Sequence, residues 1–333
     1  MNLFSFFRTY KKRLLGYALF CLVTFAIASI GMTVYQVKQM TGEWYAPLEA
    51  TDAKPDVTSL RPASGSAPLE LLAGSKPLQP FSLLVLGIDS RDGERARSDT
   101  IMLAAVHPEK QRVYLLSIPR DTYMEIPGYG HDKLNHAMAY GGPKLVKESL
   151  EGFLDVRIDR YLTIDFDGFR KVVDALGGVP IDVKKKMKYT DTSDDTYIDL
   201  SPGLQTLSGD QALDYARYRK SDTGREDSDY ERIKRQQELV QALAEKGTSA
   251  EAFAKAFTLM EILGDHVRTD LTEREIASLL LSYSDPTPNT IRSDTLTGAD
   301  ERIWHHDVLG WYHLVPEQER GRVRQEIGKE LAP

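Results

Sequence analysis

Three short apolar segments, separated by charged turns, follow one another between residues 81 and 121 of this chain. The first, residues 83–86, is a continuous apolar run typical of a central strand that is covered on both faces. Gly87 then allows the chain to turn sharply. The other two segments, residues 100–106 and 113–118, are of strand length and rich in Leu, Ile and Val. The pattern predicts three strands of an α/β sheet.

Charged side chains stand at the ends of all three predicted strands, which is where open α/β sheets bind their ligands. Two neighbouring carboxylates suit a hard divalent cation, and clustered arginines suit a phosphate that bridges to it. We therefore predict a metal and phosphate site, with surface ion pairing around a turn as the alternative. The residues concerned are Asp89, Arg91, Arg97, Asp99, Arg120 and Asp121.

Ahead of this region, residues 14–35 carry no charged side chain. A run of about 20 apolar residues can cross a bilayer as a helix, so we predict a single transmembrane anchor over residues 14–37. Basic residues precede it, and the positive-inside rule therefore places residues 1–13 in the cytoplasm and the rest of the chain outside. A cleaved signal peptide is the alternative, because Ala26 and Ala28 form an A-x-A pattern.

Composition narrows the chemistry that the exported part can perform. The net charge of −7 argues against a general polyanion binder, so phosphate binding must come from locally clustered arginines. The single cysteine, Cys21, lies in the predicted anchor, which leaves an exported domain without a disulfide or a thiolate nucleophile. Residues 38–80 are rich in proline and predict a stalk, and one catalytic domain is expected over residues 81–333.

Strand and helix patterns alternate after the third strand. Residues 161–166 predict a strand, residues 167–176 a helix that ends at two glycines, and residues 179–183 another strand. Residues 143–154 and 316–331 predict further helices. This alternation is typical of an α/β sheet that is covered on both faces.

A second basic cluster lies between residues 208 and 246. Arg217 and Arg219 follow a short helical pattern, and in an extended segment their spacing would place both guanidinium groups on one side. Such a pair can bind one pyrophosphate. Ser228 and Glu231 form a capping box, which predicts that a helix begins at Asp229.

One face of that helix changes from basic to apolar along its length. The stripe consists of Arg232, Arg235, Gln236, Leu239 and Leu243. A phosphate head group followed by a hydrocarbon tail matches this gradient. An ordinary amphipathic helix whose arginines pair with Asp222 and Asp227 gives the same pattern, so both interpretations stay open.

Three segments together resemble the signature blocks of the LytR-CpsA-Psr family: LVLGIDSRDGERARSDTIMLA, SIPRDTYMEIPGYGHDKLNHAMAYGG and ALDYARYRKSDTGREDSDYERIKRQQ. The resemblance covers about residues 81–246. It implies a three-layer α/β/α sandwich with a central mixed sheet, preceded by one N-terminal transmembrane helix. It also implies a long hydrophobic pocket, between the sheet and the helices, that takes the lipid tail of a polyprenyl pyrophosphate.

The activity that the resemblance implies is a magnesium-dependent phosphotransfer, with Mn²⁺ able to replace Mg²⁺. A cell-wall glycopolymer such as wall teichoic acid would move from its undecaprenyl pyrophosphate carrier at the membrane to a peptidoglycan hydroxyl. A pyrophosphate hydrolase and a non-catalytic lipid-binding scaffold are the alternatives. About 13 residues before the anchor are too few for a helix-turn-helix domain, so no nucleic-acid partner is expected.

The resemblance assigns roles to individual residues. Asp89 and Asp99 match the family's metal-binding and catalytic aspartates, and Arg120 is expected to act with them in catalysis. The pyrophosphate-binding positions of the family's motifs correspond to Arg91, Arg97, Arg120, Asp121, Arg217, Arg219, Arg232, Arg235 and Gln236. Leu239 and Leu243 are expected to contact the lipid tail. One departure is Glu231, where many relatives have Gly.

Overall fold

A computed structural model describes residues 45–48, 78–89, 97–192, 196–224, 226–247, 259, 262, 264, 266–283, 290–305 and 308–332. The predicted cytoplasmic tail, the predicted anchor, most of the predicted stalk and Arg91 lie outside these residues. Within them, none of the helices is both long enough and apolar enough to cross a membrane.

Short strands outnumber helices in the described part of the chain. The strands are β1 Phe81–Asp89, β2 Arg97–His107, β3 Arg112–Ile118, β4 Tyr123–Ile126, β5 Gly130–Lys133, β6 Arg160–Asp165, β7 Val179–Val183, β8 Met187–Asp191, β9 Thr196–Leu200, β10 Gly203–Leu207, β11 Val267–Thr269, β12 Ile291–Thr295, β13 Ala299–His305 and β14 Val308–Leu314. The helices are α1 Leu134–Leu154, α2 Phe166–Ala175, α3 Gly209–Arg217, α4 Asp229–Gly247, α5 Glu273–Ser282 and α6 Glu317–Leu331.

The central sheet has six strands in the order β11-β6-β1-β2-β3-β12. β1 pairs parallel with β6 and antiparallel with β2, and β3 pairs parallel with β12, so the sheet is mixed as expected. The prediction of three neighbouring strands between residues 81 and 121 is confirmed. The ends of β1, β2 and β3 that carry the charged residues therefore lie side by side at the same end of the sheet.

Helices cover both faces of this sheet. On one face, Leu86 and Leu103 pack in an apolar cluster with Leu150 of α1 and Val323 of α6. Each fully buried side chain of this kind stabilises the fold by about 1.5–3 kcal/mol. On the other face, a smaller cluster joins β2 and β3 to Val240 of α4 and to α5. The sheet is thus the middle of three layers.

A third apolar cluster lies beside the sheet and forms a wall of the functional site. Two antiparallel pairs, β7 with β10 and β8 with β9, pack against α2, α3 and α4 through residues such as Val183, Leu200 and Leu239. Sequence analysis predicted β7 and α2 but not these pairings. Because pairing depends on contacts between distant segments, local periodicity does not specify it.

Two further elements differ from their predictions. α1 begins at Leu134, nine residues before the predicted start at 143, and it bends where Gly141 and Gly142 leave helical geometry. The bend precedes Pro143, whose ring disfavours helical backbone in the residue before it. The hairpin of β13 and β14 was not predicted at all.

Candidate active site

A cavity of about 390 Å³ opens between the ends of β1 and β2 and the helices α2, α3 and α4. Its charged lining residues are Asp99, Arg120, Asp165, Asp191, Arg217, Arg219, Lys220 and Arg232. Its apolar lining includes Val85, Met102, Ile164, Phe166, Phe169, Ile198, Leu213, Leu239 and Val240. Apolar walls with a few convergent charged groups are typical of a ligand-binding site.

A β-bulge directs Asp99 into this cavity. Gly87 pairs with Thr100 and Ile88 pairs with Ser98, which leaves Asp99 as the extra residue of β2. Regular alternation from Thr100, which lines the cavity, would turn Asp99 to the opposite face and its apolar cluster. The bulge re-aims the side chain so that both residues face the cavity.

Arg120 reaches the same point from the end of β3. Its Nη1 donates to Asp99 Oδ1 at 2.5 Å, and both side chains are partly buried. Burial opposes the charge of Arg120, but Asp99 outweighs it and raises the pKa of the guanidinium. Within the described residues, Arg120 Nε is buried and makes no hydrogen bond. This nitrogen faces Asp121, whose Oδ2 lies 3.7 Å away, beyond hydrogen-bond distance.

α4 begins at the cavity and supplies a third charged group. The capping box is confirmed, since Ser228 N donates to Glu231 Oε2 at 2.8 Å and Glu231 N donates to Ser228 Oγ at 3.3 Å. One turn into α4, Arg232 is 6% exposed and its Nη2 donates to Asp229 Oδ2 at 2.9 Å. Burial, together with the nearby Arg120, lowers the pKa of the Arg232 guanidinium. Its Nε is buried without a hydrogen-bond partner among the described atoms.

The structure brings Arg217 and Arg219 to the same cavity, but in a different backbone conformation from the predicted one. Arg217 is the last residue of α3 and not part of an extended segment, because the helix continues until Tyr218 N donates to Asp214 O at 2.9 Å. The Arg217 guanidinium lies 5.4 Å from the centre of the Phe166 ring. Arg219 Nη1 lies 3.8 Å from Asp229 Oδ1.

Arg235 does not line the cavity, which corrects its placement beside Arg232. Its Nη1 donates to Asp227 Oδ2 at 2.7 Å, its Nε donates to Tyr215 O at 2.9 Å, and its Nη2 donates to Tyr218 O. Three residues along a helix turn the side chain about 60° away from Arg232, so Arg235 faces α3. For this arginine, the alternative of pairing with Asp227 is the correct one.

The remaining residues of the α4 stripe also lie in two different places. Gln236 and Leu239 line the cavity, and Leu239 is 1% exposed. Leu243 does not line it and packs against the apolar cluster of β7 to β10 instead. Leu243 is therefore partly buried outside the lining of this cavity, and its predicted contact with a lipid tail stays a prediction.

The remaining predicted residues lie at the margin of the site. Asp89 pairs with Arg97 across β1 and β2, and neither residue lines the cavity. Asp121 Oδ1 lies 2.8 Å from Lys133 Nζ. Burial raises the pKa of Asp121, but Lys133 and Arg120 outweigh burial and lower it, so this carboxylate stays charged.

The chemistry of the two predicted metal ligands fits only one kind of metal site. Among the described residues, no group of three or more His, Cys, Asp or Glu side chains is placed to hold a metal ion. Mg²⁺ commonly takes only one or two carboxylates when substrate phosphates supply further oxygens. Asp89 and Asp99 stay predicted ligands of an ion that would bind together with a phosphate, and of the two only Asp99 lines the cavity.

Several residues in or next to the cavity were not predicted. Asp229 is the acidic partner of Arg232 beside the cavity lining, and its sequence signal is the first helical position, directly after Ser228 of the capping box. Phe166 and Phe169 of α2, with Tyr189 and Ile198 of the β8–β9 pair, line the apolar wall. No local sequence signal marks these wall residues, because the fold brings them together from distant segments.

Comparisons with known proteins agree with this geometry. The LytR_cpsA_psr family model matches residues 36–328. The chain is 33% identical over 326 residues to the polyisoprenyl-teichoic acid--peptidoglycan teichoic acid transferase TagU of Halalkalibacterium halodurans, with 96% of this chain and 99% of that protein covered. The crystal structure of B. subtilis TagV has a TM-score of 0.66 and 30% identity, covering 78% of this chain and 100% of that one. For TagT bound to LIIa-WTA, the TM-score is 0.61 and the identity 30%, covering 78% and 93%.

Proposed function

The chain belongs to the LytR_cpsA_psr family, and on this premise we propose that it transfers a teichoic-acid-type glycopolymer from a polyprenyl pyrophosphate carrier to peptidoglycan. The names of its relatives as teichoic acid transferases support the reaction class. The observation that carries the proposal is the meeting of four arginines with Asp99 in a cavity that also has an apolar wall.

The arginines account for the head group of the carrier. Arg120 and Arg232 are buried or nearly so, and each keeps a buried nitrogen without a hydrogen bond in the described part of the chain. Arg217 and Arg219 line the same cavity. Charge-assisted hydrogen bonds to phosphate are about twice as strong as neutral ones, and burial limits their screening by solvent. A pyrophosphate supplies the oxygens that these donors lack.

The apolar lining accounts for the tail of the carrier. Leu239 and Val240 of α4, Phe169 of α2 and Met102 of β2 offer a hydrocarbon-lined surface next to the arginines. Each buried CH₂ group contributes about 0.8 kcal/mol, so an enclosed polyprenyl segment adds substantially to affinity. A donor with a short tail would lose that contribution.

In the proposed reaction, the oxygen of an acceptor hydroxyl forms a bond to the phosphorus that carries the polymer. The bond from that phosphorus to the lipid phosphate breaks, and the electron pair leaves with the lipid phosphate. Arg120 and Arg232 stabilise the charge that develops there, and a carboxylate of the cluster takes the hydroxyl proton. Bound Mg²⁺, held by Asp99 and Asp89, would supply Lewis-acid polarisation.

We also propose that the reaction takes place at the outer face of the cell membrane. The apolar run at residues 14–37 would anchor the chain, and the basic residues before it would keep the N-terminus in the cytoplasm. A membrane-bound carrier and an anchored enzyme then share the same surface.

The test is a transfer assay with the full-length chain, a lipid-linked polymer, peptidoglycan and Mg²⁺. We expect polymer covalently attached to peptidoglycan, loss of this product with a chelator, and recovery when Mg²⁺ or Mn²⁺ is added. Undecaprenyl donors should bind more tightly than farnesyl donors. Free polymer in solution would instead indicate a hydrolase, and tight lipid binding without any product would indicate a scaffold.

A further inference from the structure

A second cavity, of about 270 Å³, adjoins the first. Arg219 lines both cavities. Arg120 lines the first and its neighbour Asp121 lines the second, while Arg232 lines the first and its ion-pair partner Asp229 lines the second. The phosphate-binding arginines therefore stand between two cavities, and the carboxylates paired with them face the second.

The hairpin of β13 and β14 extends this second cavity into an aromatic surface. Arg302 pairs with Trp311 and Trp304 pairs with Leu309, so the two tryptophans are diagonal neighbours on one face of the hairpin. Trp304 is 70% exposed and Trp311 is 59% exposed, and Trp311 also lines the second cavity. The Arg302 guanidinium lies 5.8 Å from the centre of the Trp311 ring, so this face presents two exposed indole rings together with a cation.

Two hydrogen bonds attach this hairpin to the catalytic region. His313 N donates to Asp121 O at 2.9 Å, while His313 Nδ1 lies 2.8 Å from Asp300 Oδ1 within the hairpin. Gly298 N donates to the hydroxyl of Tyr230 at 3.1 Å, which joins the base of the hairpin to the start of α4. The aromatic face is thus held at a defined position relative to the arginines.

The chemistry of the second cavity suits sugar hydroxyls better than a further phosphate. The second cavity is lined by Asp121, Asp229 and Asp300 and by one arginine, whereas the three aspartates of the first cavity are accompanied by four arginines and a lysine. The excess of carboxylates in the second cavity disfavours an anionic polymer, and carboxylates accept hydrogen bonds from hydroxyl groups. The flat face of an indole ring packs against the apolar face of a pyranose ring and attracts its polarised C–H groups. The combination matches an uncharged chain of N-acetylhexosamine rings.

We propose that the second cavity and the Trp304–Trp311 face bind the glycan strand of the acceptor. This inference rests on the proposed transfer function and assigns it an acceptor surface. In phosphoryl transfer the attacking and leaving oxygens lie roughly in line, so the acceptor must approach the phosphorus from the side away from the lipid phosphate. A cavity beyond the arginines provides that approach, with the hydroxyl entering past Tyr230 and Asp229.

Intrinsic fluorescence offers a direct test, with the uncharged hexamer of N-acetylglucosamine as the probe. The chain has three tryptophans, so replacing Trp44 by Phe leaves Trp304 and Trp311 as the only reporters. We expect a saturable change in emission when the hexamer is added to the full-length Trp44→Phe protein. An unchanged emission over the whole titration overturns the inference.

Calorimetric titration of variants locates the binding surface. Trp311→Ala should weaken hexamer binding about tenfold, the loss expected for one aromatic stacking contact, and Trp311→Phe should weaken it less. Tyr197→Ala is the matched control, because Tyr197 is also exposed and belongs to another strand pair. Equal affinity in Trp311→Ala and wild type, with melting temperatures also equal, overturns the inference.

Binding of undecaprenyl pyrophosphate in detergent micelles separates this inference from the proposed function. We expect Trp311→Ala to bind the prenyl pyrophosphate as the wild type does, while its transfer of polymer to peptidoglycan falls. A wild type that binds the prenyl pyrophosphate but not the hexamer contradicts the acceptor surface alone. A wild type that does not bind the prenyl pyrophosphate contradicts the proposed function itself.

Discussion

The arginines at the β12 edge of the sheet and the arginines of the cavity differ in how completely their guanidinium groups are hydrogen-bonded. At the edge, Arg322 donates to both carboxylate oxygens of Glu319, at 2.7 and 2.8 Å, and to Asp294 at 2.8 Å. These hydrogen bonds raise the pKa of the Arg322 guanidinium. Arg292 is paired with two glutamates of α6, at 2.9 and 3.2 Å.

The cavity arginines Arg120 and Arg232 each keep a nitrogen without a hydrogen bond among the described residues, although Asp121 lies 3.7 Å from Arg120 Nε. Within the described residues, Arg232 donates to Asp229 at 2.9 Å, and burial lowers the pKa of its guanidinium. Arg120 is held chiefly by Asp99. The difference teaches that residue type alone does not identify a binding arginine. In our proposal the binding arginines are those that line the cavity and also keep a buried nitrogen without a hydrogen bond, because such a donor costs about 1–3 kcal/mol until a ligand satisfies it.

The largest effect should come from removing a cavity arginine. Arg120→Ala should lower the rate of polymer transfer by about 10²–10³-fold, the loss typical of one donor to a developing charge. Arg322→Ala is the matched control at the β12 edge and should leave the rate unchanged. Steady-state rates and melting curves of both variants measure this difference. Equal losses of activity in the two variants would remove the distinction between the clusters.

A second effect should separate two arginines of the same helix. Arg235→Ala leaves Asp227, whose side chain is 2% exposed, without its guanidinium partner. Removing one member of a buried ion pair costs about 3–5 kcal/mol of unfolding free energy, and the remaining contact of Asp227 with Lys185 places the expected loss near the lower bound. Chemical denaturation measures the loss, and prenyl pyrophosphate binding by the folded fraction should persist. Loss of lipid binding without loss of stability would move Arg235 into the site.

The smallest effect concerns a carboxylate of α3. Burial raises the pKa of Asp214 from 3.8 to about 6. The folded state then keeps this proton up to higher pH than the unfolded state, so the unfolding free energy falls as pH rises from about 4 to about 6. After allowance for solvent screening, we expect Asp214→Asn to be more stable than wild type by about 1 kcal/mol at pH 7.

The same two proteins should be equally stable near pH 4, where Asp214 is protonated in the folded state. Denaturation curves of both at pH 4, 5, 6 and 7 give the comparison. A constant difference across this range would show that the substitution acts through packing and not through titration.

The parts of the fold that were predictable are those specified by local chemistry. β1, β2 and β3 follow from continuous apolar runs, and the start of α4 follows from the capping box of Ser228 and Glu231. Asp99 and Arg120 were also predictable as site residues, because they stand at the ends of these strands. Their positions depend on short segments whose strand structure is determined by local sequence.

The unpredicted parts depend on contacts between distant residues. Arg232 and Arg235 are equivalent in a periodic pattern, and only the position of α3 decides which one faces the cavity. Trp304 and Trp311 are residue types expected in a core, so nothing local indicated that they are exposed on a hairpin. The two neighbouring glycines indicate the kink of α1 in the sequence. That the helix nevertheless extends before the kink depends on its packing against the sheet, which the sequence does not show.

The bulge at Asp99 divides β2 into two parts whose side chains alternate in different registers. From Thr100 onward, the side chains of β2 alternate regularly between the two faces of the sheet and pack there. The one extra residue moves the side chains before it to the opposite face from the one that regular alternation would give. A substitution at Asp99 changes only a functional group. Deletion of the one residue between Arg97 and Asp99 would instead remove the extra residue and change which face of the sheet each side chain points to. Whichever residue then occupied the position would point toward the apolar cluster beneath α1. The direction of the Asp99 carboxylate therefore depends on the number of residues in the strand as well as on the residue type.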